Sequence, residues 1–301
     1  MKIGASLTSA LSAPDPATGA TWLIERGRAA DDAELDSLSL GDHHAVPGFY
    51  YQNTPMLGRL LAEWTSTRPA GCLFLLPLWN PVLVAEQIGT LAALTSGPFI
   101  VQTGIGGGEG QFAAMGADLR GRGAATDEAI RVVKGLLAGE TVSSERFGVE
   151  NASIGLRPQQ SVEWWIGAGS PGPLERAARE GTAWYGSPGT SVERTADLIA
   201  TFREACGRFD NESAQVIMRA DVIVLDDDST ASARADELIA AGYRGMPRDG
   251  VIAGGVERVA DAFARYAEIG VDEMVVRCMN ITQPEAVETL ALCGEVRRRL
   301  A

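Results

Sequence analysis

Histidine is nearly absent from this sequence, since it occurs only twice in 301 residues, at His43 and His44. Cysteine is also scarce. The four cysteines are scattered and form no C-x-x-C pair, which argues against a disulfide framework and against a zinc ribbon. Basic residues form no cluster except at positions 297–299, and the net charge is −13. Nucleic acids and anionic membranes are therefore not expected as partners.

Long apolar runs are missing too, so no segment is long enough to cross a bilayer as a helix. The first residues indicate a strand and lack the apolar core of a signal peptide, so the protein is expected in the cytoplasm. Glycine, in contrast, is abundant at 35 residues, which suits many tight connections between short elements. We expect a cytoplasmic enzyme that acts on a small molecule.

Short apolar runs alternate with amphipathic segments along the chain. Eight of these runs are predicted strands: residues 3–7, 37–40, 72–76, 99–103, 164–167, 183–185, 215–225 and 274–277. The stretch 141–160 breaks the pattern and is predicted to be an excursion, for example a hairpin. The alternation predicts one α/β domain over residues 1–301, a (β/α)8 TIM barrel. A doubly wound parallel sheet is the alternative.

Four motifs follow predicted strands, and the carboxyl ends of barrel strands share one face. They are Asp42-His43-His44, the loop with Trp79, the glycine-rich run 104–110, and Gly169-Ser170-Pro171-Gly172. Two adjacent histidines favour a site, although a capping aspartate with two packed imidazoles would be a common loop arrangement. Adjacent side chains on an extended chain point to opposite sides, so a metal site is not expected.

The glycine-rich run fails as a dinucleotide fingerprint, because Glu109 stands where G-x-G-x-x-G needs its third glycine. What remains is a loop that a flat or phosphorylated ligand could approach closely, with Glu109 as either a functional or a solvated acid. The Gly169–Ser170 turn could hold a phosphate through backbone N–H groups and the serine hydroxyl. A capped helix start would explain the same turn without any ligand.

Five sequence blocks in order resemble the luciferase-like monooxygenase superfamily. They are LDSLSLGDHH from Leu35, LPLWNP from Leu76, GIGGGE from Gly104, FAAMG from Phe112 and IGAGSP from Ile166. The resemblance covers nearly the whole chain. It implies a TIM barrel that holds FMN or the deazaflavin F420 at its carboxyl face, with two-electron redox chemistry at the ring.

The resemblance also implies roles for individual residues. His43 would be the acid/base near the reacting edge of the ring, and Glu109 a second group that donates or accepts a proton beside it. Leu73 and Phe74 would form a non-prolyl cis peptide. The implied cofactor-binding residues are Asp42, Leu73, Phe74, Gly106, Gly107, Gly108, Glu109, Gly169, Ser170, Pro171 and Gly172.

Departures from the family pattern bear on the cofactor. The luciferase phosphate loop has an arginine that Gly107 and its neighbours replace, which weakens the FMN hypothesis, while Glu109 favours F420. We therefore expect F420-dependent hydride transfer. The alternatives are an FMNH2-dependent monooxygenase and a non-catalytic barrel that binds flavin or a partner. The substrate pocket is predicted to be walled by Phe49, Tyr50, Tyr51 and Trp79, and the family resemblance suggests a homodimer.

Overall fold

The computed structural model describes residues 1–279 and 282–301. Their strands are β1 (Lys2–Leu7), β2 (Leu38–Leu40), β3 (Ala70–Leu75), β4 (Phe99–Gly104), β5 (Val142–Ser144), β6 (Val149–Ala152), β7 (Val162–Gly167), β8 (Ala183–Gly186), β9 (Gln215–Val224), β10 (Val251–Gly254) and β11 (Glu273–Cys278). The strands β1-β2-β3-β4-β7-β8-β9-β11 are parallel, and β11 pairs with β1, so this described set closes into a ring. The predicted (β/α)8 barrel is confirmed, and the doubly wound alternative is excluded.

Helices connect the strands and cover the outside of the barrel. They are α1 (Pro16–Asp32), α2 (Asn53–Leu60), α3 (Pro81–Ala92), α4 (Glu109–Ala114), α5 (Arg122–Ala138), α6 (Pro171–Glu180), α7 (Val192–Arg208), α8 (Asp228–Ala240), α9 (Val256–Glu268) and α10 (Gln283–Leu300). Helix α1 starts at Pro16 because the Asp15 side chain accepts hydrogen bonds from the backbone N–H groups of Ala17 and Thr18. No described helix has both the length and the apolar character needed to span a membrane.

Two features lie outside the alternating pattern. The antiparallel pair β5–β6 confirms the predicted excursion at 141–160. Strand β10 was not predicted; it pairs in parallel with the last four residues of β9, beyond the part of β9 that pairs with β8. A four-residue strand that ends in glycine carries too little periodicity to be recognised from sequence.

The strands bury different chemistry on their two faces. On the outer face of β1, Ile3 and Leu7 join the large apolar core against the helices. On β9, Ile217 belongs to a smaller cluster inside the barrel, and Arg219 and Asp221 share its face because side chains alternate along a strand. The carboxyl half of the barrel interior is therefore charged, and it opens toward the loops that carry the predicted motifs.

Candidate functional site

A cavity of about 960 Å³ opens at the carboxyl ends of the barrel strands. Ligand sites of soluble proteins commonly occupy about 300–1,000 Å³, so it can hold a ring cofactor or a sizeable substrate. Its lining comes from strands β3, β9 and β11, from the loops after β1, β2, β4 and β8, from helices α1, α4 and α8, and from the segment after α8. The lining residues include Trp22, Arg26, Asp42, His43, Tyr50, Leu73, Leu75, Gly106, Gly107, Gln111, Arg219, Tyr243, Arg277, Cys278 and Met279.

The two adjacent histidines have different environments. His43 is exposed and lines the cavity, where its ring centroid lies 5.9 Å from that of Tyr50. His44 is buried, and its imidazole packs edge-on against Trp79 at 5.3 Å. Extended backbone turns neighbouring side chains apart, so only His43 is available to a ligand in the cavity. The role of His43 as acid/base stays a prediction.

Asp42 links the loops that follow β2 and β3. Its Oδ2 accepts from the backbone N–H of Leu75 and from Nε1–H of Trp79, both at 2.8 Å. Nε2 of His44 lies 3.2 Å from the other carboxylate oxygen, Oδ1, but at angles outside hydrogen-bond geometry. This contact is an ion pair only when the imidazole is protonated. Asp42 reaches the cavity, but its hydrogen bonds are used to hold the two loops together.

The glycine-rich loop contributes backbone to the cavity wall. Gly106 and Gly107 line it, and Gly106 has a φ of +65°, a left-handed conformation that favours glycine. Gly108 and Glu109 are exposed and are not among the lining residues; Glu109 is the first residue of α4. The implied role of Glu109, a second group that donates or accepts a proton beside the ring, stays a prediction.

Gln111 is a site residue that the sequence analysis missed. Its Oε1 accepts from the backbone N–H of His44 at 2.9 Å, and its Nε2 donates to the carbonyl of Gly107 at 3.1 Å. The buried amide therefore joins the histidine loop to the glycine-rich loop. Its position directly after the glycine-rich run 104–110 was the available sequence signal.

The expectation of a cis peptide at Leu73 and Phe74 is wrong, because no peptide bond among the described residues is cis. Both residues pair in regular parallel register with β4, and the trans amide is favoured by about 2.5–4 kcal/mol. The two side chains also separate. Leu73 lines the cavity, whereas Phe74 is fully buried on the outer face of the barrel, where its ring centroid lies 5.6 Å from that of Trp79.

The turn Gly169-Ser170-Pro171-Gly172 is exposed and is not among the residues that line the cavity. Ser170 is the N-cap of α6, and its side chain makes no capping hydrogen bond. The turn is therefore open to solvent at a helix start, and its role in holding a cofactor phosphate stays a prediction.

Of the four aromatic residues predicted to wall the substrate pocket, Tyr50 lines the cavity. Burial, followed by the nearby Asp42 charge, raises the pKa of its phenol. Phe49 is 40% exposed, and the Tyr51 hydroxyl donates to the carbonyl of Pro16 at 2.6 Å. Trp79 packs behind the wall, where it donates to Asp42. Phe49, Tyr51 and Trp79 are therefore not among the residues that line the cavity.

A charged group on the opposite wall was missed by the sequence analysis. Asp221 is fully buried and accepts two hydrogen bonds from Arg277, at 3.0 and 2.8 Å, and one from Tyr243 at 2.8 Å. Arg219 lies 4.0 Å from the same carboxylate. Burial alone lowers the pKa of Arg277, but the Asp221 charge outweighs it and raises the pKa. Charged residues inside apolar strands were the sequence signal for this group.

Comparisons with known proteins agree with this architecture. The family described as luciferase-like monooxygenase matches residues 1–298. The chain is 28% identical over 204 residues to an F420-dependent glucose-6-phosphate dehydrogenase of Kineococcus radiotolerans, covering 62% of this chain and 60% of that protein. It is 27% identical over 198 residues to an FMNH(2)-dependent dimethylsulfone monooxygenase of Pseudomonas fluorescens, covering 64% and 53%. The chain thus spans less than two thirds of the length of either relative.

Among solved structures, the coenzyme F420-dependent tetrahydromethanopterin reductase of Methanopyrus kandleri superposes with a TM-score of 0.77. The two chains are 17% identical, and the superposition covers 99% of each. At this identity the likeness concerns the fold alone.

Proposed function

Because the chain belongs to the luciferase-like monooxygenase family, we propose that it is an oxidoreductase that uses the deazaflavin F420 for hydride transfer with a small organic substrate. The observation that carries this proposal is the exposure of His43 in the cavity that Leu73, Gly106 and Gly107 also line. A proton-transferring group, an apolar side chain and bare backbone thus border one space.

The residues around this part of the cavity fit a flat ring. Leu73 and Leu75 offer apolar contact, and Gly106 and Gly107 have no side chains that would keep a ring away from the backbone. A Cβ on Gly107 would meet no atom within 4 Å, so the space beside it is open. When bound there, a deazaflavin supplies a two-electron hydride acceptor or donor.

His43 is the proposed proton-transfer group. Oxidation of an alcohol, for example, removes a hydride from carbon and a proton from oxygen, and an imidazole is a suitable base for that proton near neutral pH. The loop is held by Gln52, whose side chain donates to the carbonyl of His43 at 3.3 Å. Glu109 lies outside the cavity lining, so it is not assigned the proton here.

An FMNH2-dependent monooxygenase is the second candidate. The absence of basic residues from positions 104–110 still favours F420 over FMN, and several curated relatives carry F420-dependent names. The exposure of Glu109, however, removes one of the reasons that favoured F420. The predicted homodimer and cytoplasmic location are part of this proposal.

The test is a fluorescence and absorbance titration of the purified protein with F420 and with FMN, each oxidised and reduced. We expect F420 to bind more tightly. Gly107→Val, which fills the open space of the cavity wall, should weaken binding by about tenfold or more, whereas the matched control Gly110→Val, on the exposed start of α4, should not.

The titration has clear contrary outcomes. Tight binding of FMN with no binding of F420 would replace the first candidate by the second. Binding of neither cofactor would contradict the proposed function. Cofactor binding without turnover of any substrate would favour the non-catalytic barrel, and unchanged turnover in His43→Gln would exclude His43 as the proton-transfer group.

A further inference from the structure

Arg26 is a buried cation that lines the cavity from helix α1. Arg26 is only 3% exposed, and its Nε donates a hydrogen bond to Oε1 of Gln283 at 2.8 Å. The Gln283 amide is itself fixed, because its Nε2 donates to Glu25 at 2.9 Å and to the carbonyl of Trp22 at 3.2 Å. Arg26 is thus oriented by a neutral amide.

No described carboxylate forms an ion pair with Arg26, whose hydrogen-bond partner is the Gln283 amide. Burial accordingly lowers the pKa of Arg26. The two positions outside the described ranges are an asparagine and an isoleucine, so neither supplies a carboxylate. A buried guanidinium without a counter-charge is costly, and a bound anion would offset that cost.

The rest of the cavity wall does not balance this charge. Arg219 and Arg277 also line the cavity and face the single carboxylate of Asp221, while Asp42 is the one acid in the lining. Three arginines therefore stand against two carboxylates in a protein whose net charge is −13. The cavity attracts anions although the molecule as a whole repels them.

We propose that Arg26 binds an oxyanion of the substrate, such as a carboxylate, a phosphate or a sulfonate. Anion binding by Arg26 does not depend on the proposed function; only the statement that the anion is part of the substrate rests on it. Guanidinium groups suit this task because they present several donors to an oxyanion in a fixed plane.

The position of Arg26 separates this site from the part of the cavity proposed for the ring. Arg26 lies near Cys278, the last residue of β11, and β1, β2 and β3 stand between β11 and the glycine-rich loop after β4. A substrate that is anchored at Arg26 would extend across the cavity toward His43.

The test uses inorganic phosphate as the probe, measured by isothermal titration calorimetry at constant ionic strength. The wild-type protein is compared with Arg26→Met and Arg26→Lys. Arg28→Met is the matched control, since Arg28 is on the same helix but its side chain is 56% exposed and pairs with Glu63. We expect phosphate affinity to fall about tenfold or more in Arg26→Met, less in Arg26→Lys, and not in the control.

Two further measurements decide whether the anion belongs to the substrate or to the cofactor, and whether Arg26 serves only to stabilise the fold. Saturation with F420 or FMN should leave phosphate binding intact; competition would assign the site to the cofactor and overturn the proposal. Without phosphate, Arg26→Met should melt at the wild-type temperature or above it, because an unbalanced charge has been removed.

A lower melting temperature or a failure to fold in Arg26→Met, or unchanged phosphate binding in it, would also overturn the proposal. If neither cofactor binds to the wild-type protein, the proposed function fails, while the phosphate titrations still report on Arg26 independently.

Discussion

The substitution Asp42→Asn would test whether the buried carboxylate of Asp42 holds together the loops that follow β2 and β3. Oδ2 of Asp42 accepts two hydrogen bonds of 2.8 Å, from the backbone N–H of Leu75 and from Nε1–H of Trp79. Asp42→Asn preserves the shape and one acceptor oxygen. Both hydrogen bonds can form again, but to a neutral acceptor.

The cost follows from the difference between the two kinds of acceptor. A hydrogen bond to a charged group contributes about 1.5–3 kcal/mol, and one between neutral groups about 0.5–1.5 kcal/mol. Two weakened bonds lose about 2–3 kcal/mol, and the relief of no longer burying a charge returns part of it. We therefore expect Asp42→Asn to lower the free energy of unfolding by about 2 kcal/mol.

Urea denaturation followed by circular dichroism measures this loss. Trp79→Phe removes one donor and keeps most of the ring, so the double variant provides a thermodynamic cycle. Because Asp42→Asn weakens the same hydrogen bond that Trp79→Phe removes, their combined cost should be about 1 kcal/mol less than the sum of the single costs. Additive costs, or an Asp42→Asn variant as stable as the wild type, would refute this account of the loops.

Three other predictions concern the site and the opposite end of the barrel. His43→Gln should slow cofactor-dependent turnover by about 100-fold while leaving the melting temperature near the wild-type value, because His43 is exposed; equal turnover would contradict this. Burial raises the pKa of Glu273 to about 7 from 4.5, so the folded protein retains a proton that the unfolded chain releases between these values. The contribution of Glu273 to the free energy of unfolding should therefore be greatest below pH 4.5 and should fall by up to about 3 kcal/mol by pH 7. Glu273→Gln should abolish this contribution in denaturation curves measured across pH. An unchanged pH dependence of stability in the variant would contradict the prediction. Gly106→Ala should lower the free energy of unfolding by about 1 kcal/mol because of its left-handed φ, whereas Gly107→Ala should not, and equal costs in urea denaturation would exclude this reason.

The barrel could be predicted from sequence because its strands bury one continuous apolar face against the helices. Ile3 and Leu7 of β1 and Val222 and Val224 of β9 are part of that face, and the same local pattern repeats along the chain. The extra strand β10 could not be predicted, because its pairing depends on how far β9 extends beyond β8.

The candidate site was only partly predictable. The motifs at strand ends pointed to Asp42, His43, Gly106 and Gly107, the family resemblance to Leu73, and the aromatic loop to Tyr50; all six line the cavity. They did not reveal that Phe74 and Trp79 pack behind the wall, or that Glu109 is exposed at the start of α4 and outside the cavity lining. Motif and spacing specify which loop carries a residue, but not which side of the loop it occupies.

The sequence by itself determined the succession of strands and helices, because local apolar periodicity and turn residues are sufficient for that. The tertiary structure alone decided which charges meet. Arg26 on α1, Asp221 on β9 and Arg277 on β11 are far apart in the chain. Closure of the barrel brings Arg26 and Arg277 to one cavity and pairs Arg277 with the buried Asp221. Electrostatic interactions depend on distance in space, and sequence separation carries little information about that distance.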